Sequence, residues 1–288
     1  MAASLARKVS RFFKRMGVVG YSKRRNIFGI HPIIISTTYI IIALFLAALT
    51  RKIINAIFSD SIFKRMVLEF VATLELCAAC FELIIVADNW GIWAYALYLC
   101  LLTIWWGKNW ENATACPYSH VEEILEGFQD VSYAALLIFS QILGAIVTFR
   151  YVQILWAMEL VETHRSKAFE DCVADLQVHM LLGALIEAAG TCACRITSRF
   201  LSETGTKFGN VLDAFFSTMM VVMAFNLSGG YYNPALATSL KLGCEGNTFV
   251  EHLVVYWLGA TIGSVISVII FRSAAVQDYL KSLKTKVD

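Results

Sequence analysis

The sequence predicts an all-α integral membrane protein: a six-helix bundle with two re-entrant half-helices arranged as an inverted repeat, plus an extra N-terminal apolar segment. Three observations carry this reading. Of the 288 residues 58% are hydrophobic, and the mean hydropathy of +0.64 is too high for an ordinary soluble domain. The apolar residues gather into runs near membrane-spanning length. Two short proline motifs also recur at the same distance from two glutamates.

Seven apolar segments stand out: Ile33–Leu49, Met66–Ala87, Ile92–Trp106, Val131–Trp156, Val178–Ile196, Val211–Leu227 and Phe249–Phe271. At about 1.5 Å per helical residue, roughly 20 residues cross the hydrocarbon, and most of these segments approach that length. The first follows a basic stretch and reads as a signal-like segment, an interfacial helix or an extra crossing. The chain then divides into a basic tail (1–30), the extra segment with its linker (31–63), a first repeat (64–157), a second repeat (178–272) and a C-terminal tail (273–288).

The repeat rests on spacing. Glu69 begins an E-x-x-x-T run ending at Thr73, and Glu187 begins another ending at Thr191, 118 residues later. Cys116-Pro117-Tyr118 lies 47 residues beyond Glu69, and Asn233-Pro234-Ala235 lies 46 beyond Glu187. The chain has three prolines, and the only other one, Pro32, precedes the first apolar segment. Each half holds three spans, so the second inserts upside down relative to the first and places a site where broken helices meet.

Asparagine is a strong N-cap and proline suits the first helical position, so Asn233-Pro234 predicts a helix running to about Leu242. The glycines before it, in Ser228-Gly-Gly230, let the chain turn back. Pro117 predicts a matching helix to Glu126, with Gly127 closing it and Cys116 as a poor cap. The alternative, that each proline is an ordinary loop residue, does not account for two motifs in register with two glutamates. Amino termini pointing at a common centre present positive potential there, and Asn233 offers an amide donor. Such a centre passes neutral polar molecules and resists cations.

These motifs resemble the aquaporin family over Met66–Phe271. The resemblance implies a right-handed bundle with two half-helices meeting midway, assembled as a homotetramer with one pore per subunit. Cys116-Pro117-Tyr118 departs from the family's Asn-Pro-Ala, and Leu236 stands where an arginine usually narrows the pore. Val221 takes the place of a histidine and Ala96 that of a narrowing aromatic. By the resemblance the constriction consists of Leu236, Val221, Gly230 and Ala96, while Glu69 and Glu187 support the half-helices. The degenerate first box, Cys244 nine residues beyond Ala235 and the extra N-terminal segment are similar to the superaquaporin branch, the unorthodox eleven/twelve-like group.

The implied function is a passive channel for water or small neutral solutes (glycerol, hydrogen peroxide) in an intracellular membrane. The alternative is a non-conducting membrane scaffold that keeps the fold with a closed pore. No Ser/His, paired-Asp or His–metal constellation supports an enzyme. Five of the eight cysteines fall within spans, where a thiol acts as a small hydrophobe, so no metal and no cofactor are expected. The expected partners are the solute, membrane lipid and further copies of the chain, with no nucleic acid.

Basic residues from Arg7 to Arg25 place the amino terminus in the cytosol. Lys284 and Lys286 fit either a di-lysine retrieval signal for the endoplasmic reticulum or a solvated basic tail. The signal needs a cytosolic carboxyl terminus, which six crossings allow and seven do not. Other residues are read structurally. Gly259-x-x-x-Gly263 is a helix-packing pattern. Trp90, Trp93, Trp105, Trp106 and Trp110 fit an interfacial belt. His164 and His179 fit loop and helix-end roles. Glu75 and Glu82 are divided between helix packing and a proton relay.

Overall fold

The computed structural model describes residues 29–284. The basic residues Arg7–Arg25 and the tail from Lys286 to Asp288 lie outside them. The described helices are α1 (Pro32–Ile57), α2 (Ile62–Trp90), α3 (Ile92–Asn109), the half-helix α4 (Pro117–Leu125), and α5 (Val131–Trp156). They continue with α6 (Met180–Glu203), α7 (Gly209–Ala224), the half-helix α8 (Pro234–Lys241), α9 (Phe249–Phe271) and a short C-terminal helix, α10 (Ala274–Lys284). Five of these are long and apolar enough to cross a membrane, and the chain is a multi-pass membrane protein. The exceptions, α3 with 18 residues and α7 with 16, pack against each other.

The expected spans Val131–Trp156 and Phe249–Phe271 match α5 and α9 end to end. The first segment is longer than its apolar core. It runs to Ile57 because the stripe Ile35, Tyr39, Ala43, Ala47, Arg51 and Ile54, at helical spacing, is buried against the bundle. Its other face, including Ile41, Phe45, Leu49 and Ile53, is exposed and apolar, as a lipid-facing surface would be. Its 26 residues are long and apolar enough for the extra crossing among the three readings of this segment.

α1 pairs antiparallel with α2, and polar contacts fasten it along its length. The Thr37 hydroxyl lies 2.6 Å from Tyr98 Oη on α3, and Tyr39 Oη donates to Leu155 O on α5 at 3.1 Å. Near its far end, Arg51 Nη1 donates to Glu75 Oε2 at 2.5 Å, with both side chains buried. Trp105 Nε1 and Trp110 Nε1 donate to the same carboxylate at 3.3 and 3.0 Å. Glu75 is thus the docking point for α1. Two tryptophans expected in an interfacial belt serve that carboxylate instead, while Trp93 remains 69% exposed. Glu82 is likewise structural. It accepts from Trp156 Nε1 at 2.9 Å and lies 2.7 Å from His164 Nε2, pinning the loop after α5.

The end of the bundle carrying Trp90 and the loop 157–179 is here called upper, the end carrying Asn109 lower. His31 packs near Trp90 at the upper end, whereas Arg272 Nη1 donates to Leu125 O at the lower end. With α1 antiparallel to α2, its start at Pro32 and the end of α9 at Phe271 lie at opposite ends of the bundle. A cytosolic location for both ends needs an even number of crossings, whereas the described helices place these two residues at opposite ends.

Close helix contacts use small residues. A Cβ on Gly263 would lie 2.1 Å from Ala188 O and one on Gly259 2.7 Å from Ala184 O, so α6 and α9 touch backbone to backbone. Gly144 occupies the corresponding place in the first half, where a Cβ would lie 2.7 Å from Phe70 O.

Removing the Glu75 carboxylate strands Arg51 in an apolar setting. The Glu75→Ala variant is expected to lose about 3–5 kcal/mol of stability, read as a lowered thermal midpoint in detergent. Glu75→Gln, which keeps one acceptor, should lose less.

Candidate functional site: a pore between two half-helices

The two half-helices begin where their caps dictate. Asn233 Oδ1 accepts from Ala235 N at 3.0 Å and from Leu236 N at 3.3 Å, the bonds of an N-cap, with Pro234 at the first helical position. α4 starts at Pro117 behind Cys116, which makes no side-chain cap bond. The helices meet at these ends: Asn233 Nδ2 donates to Ala115 O at 2.9 Å. An amide nitrogen has two hydrogens, so one donor of Asn233 remains for the cavity it lines.

Each approach loop hangs from one buried carboxylate. Glu69 accepts from Thr114 N at 3.0 and 3.1 Å and from Ala115 N at 3.0 Å, with Gln141 Nε2 donating at 2.8 Å. Glu187 accepts from Tyr231 N at 3.2 Å, Tyr232 N at 2.7 Å and Ser228 Oγ at 2.7 Å. The loop residues held are the two immediately before each cap. In both loops the last of them is left-handed, Ala115 at φ 50° and Tyr232 at φ 46°. Non-glycine residues rarely adopt that conformation, and here the carboxylate bonds hold it.

One cavity of about 530 Å³ runs past this junction between the two ends. Three helices wall it with residues four apart. α2 contributes Leu76, Cys80, Ile84 and Asp88. α3 contributes Tyr95, Leu99, Thr103 and Gly107, and α7 contributes Asp213, Ser217 and Val221, with Phe225 capping its end. Among the expected site residues, Cys116, Tyr118, Asn233, Leu236, Val221 and Gly230 all line it. Gly230 has φ +63°, and a Cβ there would lie 2.9 Å from Val221 O, so no side chain fits. Pro117, Pro234 and Ala235 are buried behind the wall, where Ala235 packs on Cys77 and Ala145. Ala96 is buried but does not line the cavity. Tyr95 lines it instead, so the aromatic at that turn comes one residue earlier, where its ring stands edge-on to Phe225 at 5.2 Å.

The upper mouth is strapped. Cys244 is disulfide-bonded to Cys172 in the loop between α5 and α6, and Val173 bridges to Glu245 beside it. Lys241 Nζ, at the end of α8, lies 2.8 Å from Asp175 Oδ1 and donates to Val173 O at 2.8 Å. Tyr231 Oη donates to Asp175 from the other side. The sequence singled out Cys244 without its partner, and the 72-residue separation offers no local signal. Asp88, Asp175, Asp213 and Arg195 were also missed as cavity residues. For Asp88 and Asp213 the signal was present in the four-residue periodicity of their helices.

No family model matches the chain. It is 29% identical to "Aquaporin-11" of Milnesium tardigradum over 84% of this chain and 88% of that one. This chain resembles the aquaporins. It is 27% identical to "Aquaporin-11" of Equus caballus, over 71% of this chain and 76% of that relative. With "Putative aquaporin-12A" of Homo sapiens it shares 29% identity over 60% of each chain. A solved structure titled as the aquaglyceroporin from Plasmodium falciparum aligns with a TM-score of 0.48 at 14% identity, over 75% of this chain and 97% of that one. The aquaporin-like region includes both half-helices, and its relatives are of the eleven and twelve kind expected from the cysteine box and Cys244.

Two outcomes follow from this geometry. Glu187→Ala leaves two loop N–H groups and the Ser228 hydroxyl without their acceptor, each worth about 1–3 kcal/mol. The variant should therefore yield little folded protein by size-exclusion chromatography, whereas Glu187→Gln should be recovered. Reduction should cost the wild type about 4 kcal/mol, given the long loop closed by the disulfide. A Cys172→Ser, Cys244→Ser double variant should show no response to reductant in the same thermal melt.

Proposed function

We propose that the chain is a passive channel for water and small neutral solutes such as glycerol or hydrogen peroxide. The observation that carries this reading is the single cavity that reaches both ends past Asn233 and the two half-helix amino termini. Its wall is mixed. Leu76, Leu99, Val221 and Leu236 are apolar, while Thr103, Ser119, Ser217 and Thr218 offer hydroxyls. That combination suits a neutral solute that sheds part of its water and keeps a few hydrogen bonds. Positive half-helix termini at the centre disfavour cations.

The matched carboxylates, caps and left-handed residues support reading residues 64–157 and 178–272 as an inverted repeat. The disulfide supports placing the upper end in an oxidising compartment. The segment from residue 273 is then cytosolic, where a di-lysine signal for the endoplasmic reticulum is readable. Assembly as a homotetramer in lipid is part of the same reading, from the likeness to aquaporins.

Purified protein in liposomes, followed by stopped-flow light scattering, tests the reading with water, glycerol and peroxide. Permeability above empty liposomes, lost in a variant lacking Pro234, is the expected result. No difference for any solute would favour the non-conducting scaffold. Leu236→Arg places a guanidinium in the first turn of α8, and it should lower glycerol permeability more than that of water.

A further inference from the structure

Resting on the channel reading, we propose that Arg195 is the selectivity-determining arginine of this pore, a hydrogen-bond donor station at the lower mouth for small neutral solutes with acceptor oxygens. The upper end has Leu236 in the first turn of α8, and Arg195 of α6 is the one arginine among the described residues that line the cavity. It also borders a second cavity of about 500 Å³ below, shared through Thr114 and Ser119, so its guanidinium stands at the junction of pore and vestibule.

The group is held rigidly. Arg195 Nε donates to Glu122 Oε1 at 2.8 Å and Nη2 donates to Oε2 at 2.5 Å, a bidentate pair that sets the plane of the fork. Glu122 is itself fixed by Ser264 Oγ at 2.6 Å and by Arg199 Nη2 at 2.8 Å. Arg199 is paired in turn with Glu126 at 2.5 Å. The two arginines and these two glutamates balance in charge, Glu123 adds a further carboxylate to the vestibule, and Arg195 contributes donors and width to the pore.

The third guanidinium nitrogen, Nη1, meets no partner among the described residues, and the side chain is 28% exposed where Glu122 is 3%. Asp213 of the neighbouring α7 also lines the cavity, positioned by Ser198 Oγ at 2.6 Å, one helical turn along α6 from Arg195. Fixed donors and a fixed acceptor therefore stand on adjacent helices of the same cavity, an arrangement that rewards a solute able to pair with both.

The bland alternative is that Arg195 is only a strut for α4, and Arg199 separates the two. Both arginines bind Glu122, but Arg199 lines the vestibule and not the pore cavity. Arg195→Gln leaves Glu122 paired with Arg199 and Ser264, so no carboxylate is stranded. It removes donors that favour water and bulk that hinders glycerol, and both losses move the glycerol-to-water permeability ratio upward.

In proteoliposomes matched for protein content, Arg195→Gln should raise that ratio about tenfold, the worth of one hydrogen bond to a charged group. Arg195→Lys, which keeps the charge but not the fork, should give an intermediate ratio, and Arg199→Gln should leave it unchanged. Equal ratios for wild type, Arg195→Gln and Arg199→Gln would overturn the proposal while leaving the channel intact. So would equal shifts in the two glutamine variants. A wild type that passes no solute would overturn the channel reading and this one with it. Should Arg195→Gln fail to fold, Asp213→Asn on the neighbouring helix takes its place, and an unchanged ratio there overturns the station.

Discussion

Glu69 and Glu187 carry the structure. A chain that turns back inside a bilayer exposes backbone N–H groups where no water can pair them, and each unpaired group costs several kcal/mol in hydrocarbon. The two carboxylates supply acceptors at that depth. Each takes the N–H groups of the two residues before a half-helix cap and holds the second of them left-handed. With the loops so fixed, the helix starts face each other and Asn233 can reach Ala115. The cavity runs past that junction, with Asn233 in its wall.

Further buried carboxylates fasten further elements in the same way. Glu75 docks the extra helix through Arg51, Glu82 pins the loop after α5 through Trp156 and His164, and Glu122 locks the lower end of α4 to α6 and α9. In an apolar chain, van der Waals contact between helices has little advantage over contact with lipid, so polar partners and small-residue contacts decide who packs on whom. This explains why so apolar a sequence keeps ionisable groups inside its helices. It also explains the division of labour along the pore, whose upper mouth is stapled by a disulfide and an ion pair, and its lower mouth by the Glu122 cluster.

Much of this was legible from residue spacing. The spans Val131–Trp156 and Phe249–Phe271, both half-helix starts, the partner role of the two glutamates and the close approach at Gly263 follow from hydrophobic length, capping chemistry and internal repetition, which are local or periodic signals. The four-residue stripes along α2, α3 and α7 were equally visible. Only the placement of their neighbours showed that the stripes face a cavity rather than a core. Ala96 illustrates the limit: counting along the chain missed the lining residue by one position, since a helix's rotation about its axis is set by packing and not by register with a relative.

The sequence by itself determined that the chain is helical, enters a membrane, and breaks two helices at Pro117 and Pro234, because chain length in hydrocarbon and proline at a helix start are constraints each segment meets alone. Tertiary structure decided the rest. It docked the first apolar segment along α2 by giving Arg51 a buried partner, joined Cys244 to Cys172 across 72 residues, and turned Arg195 toward the pore by tying it to Glu122. Each of these is a contact between distant residues whose strength depends on the low dielectric around it, and that environment does not exist until the bundle has assembled.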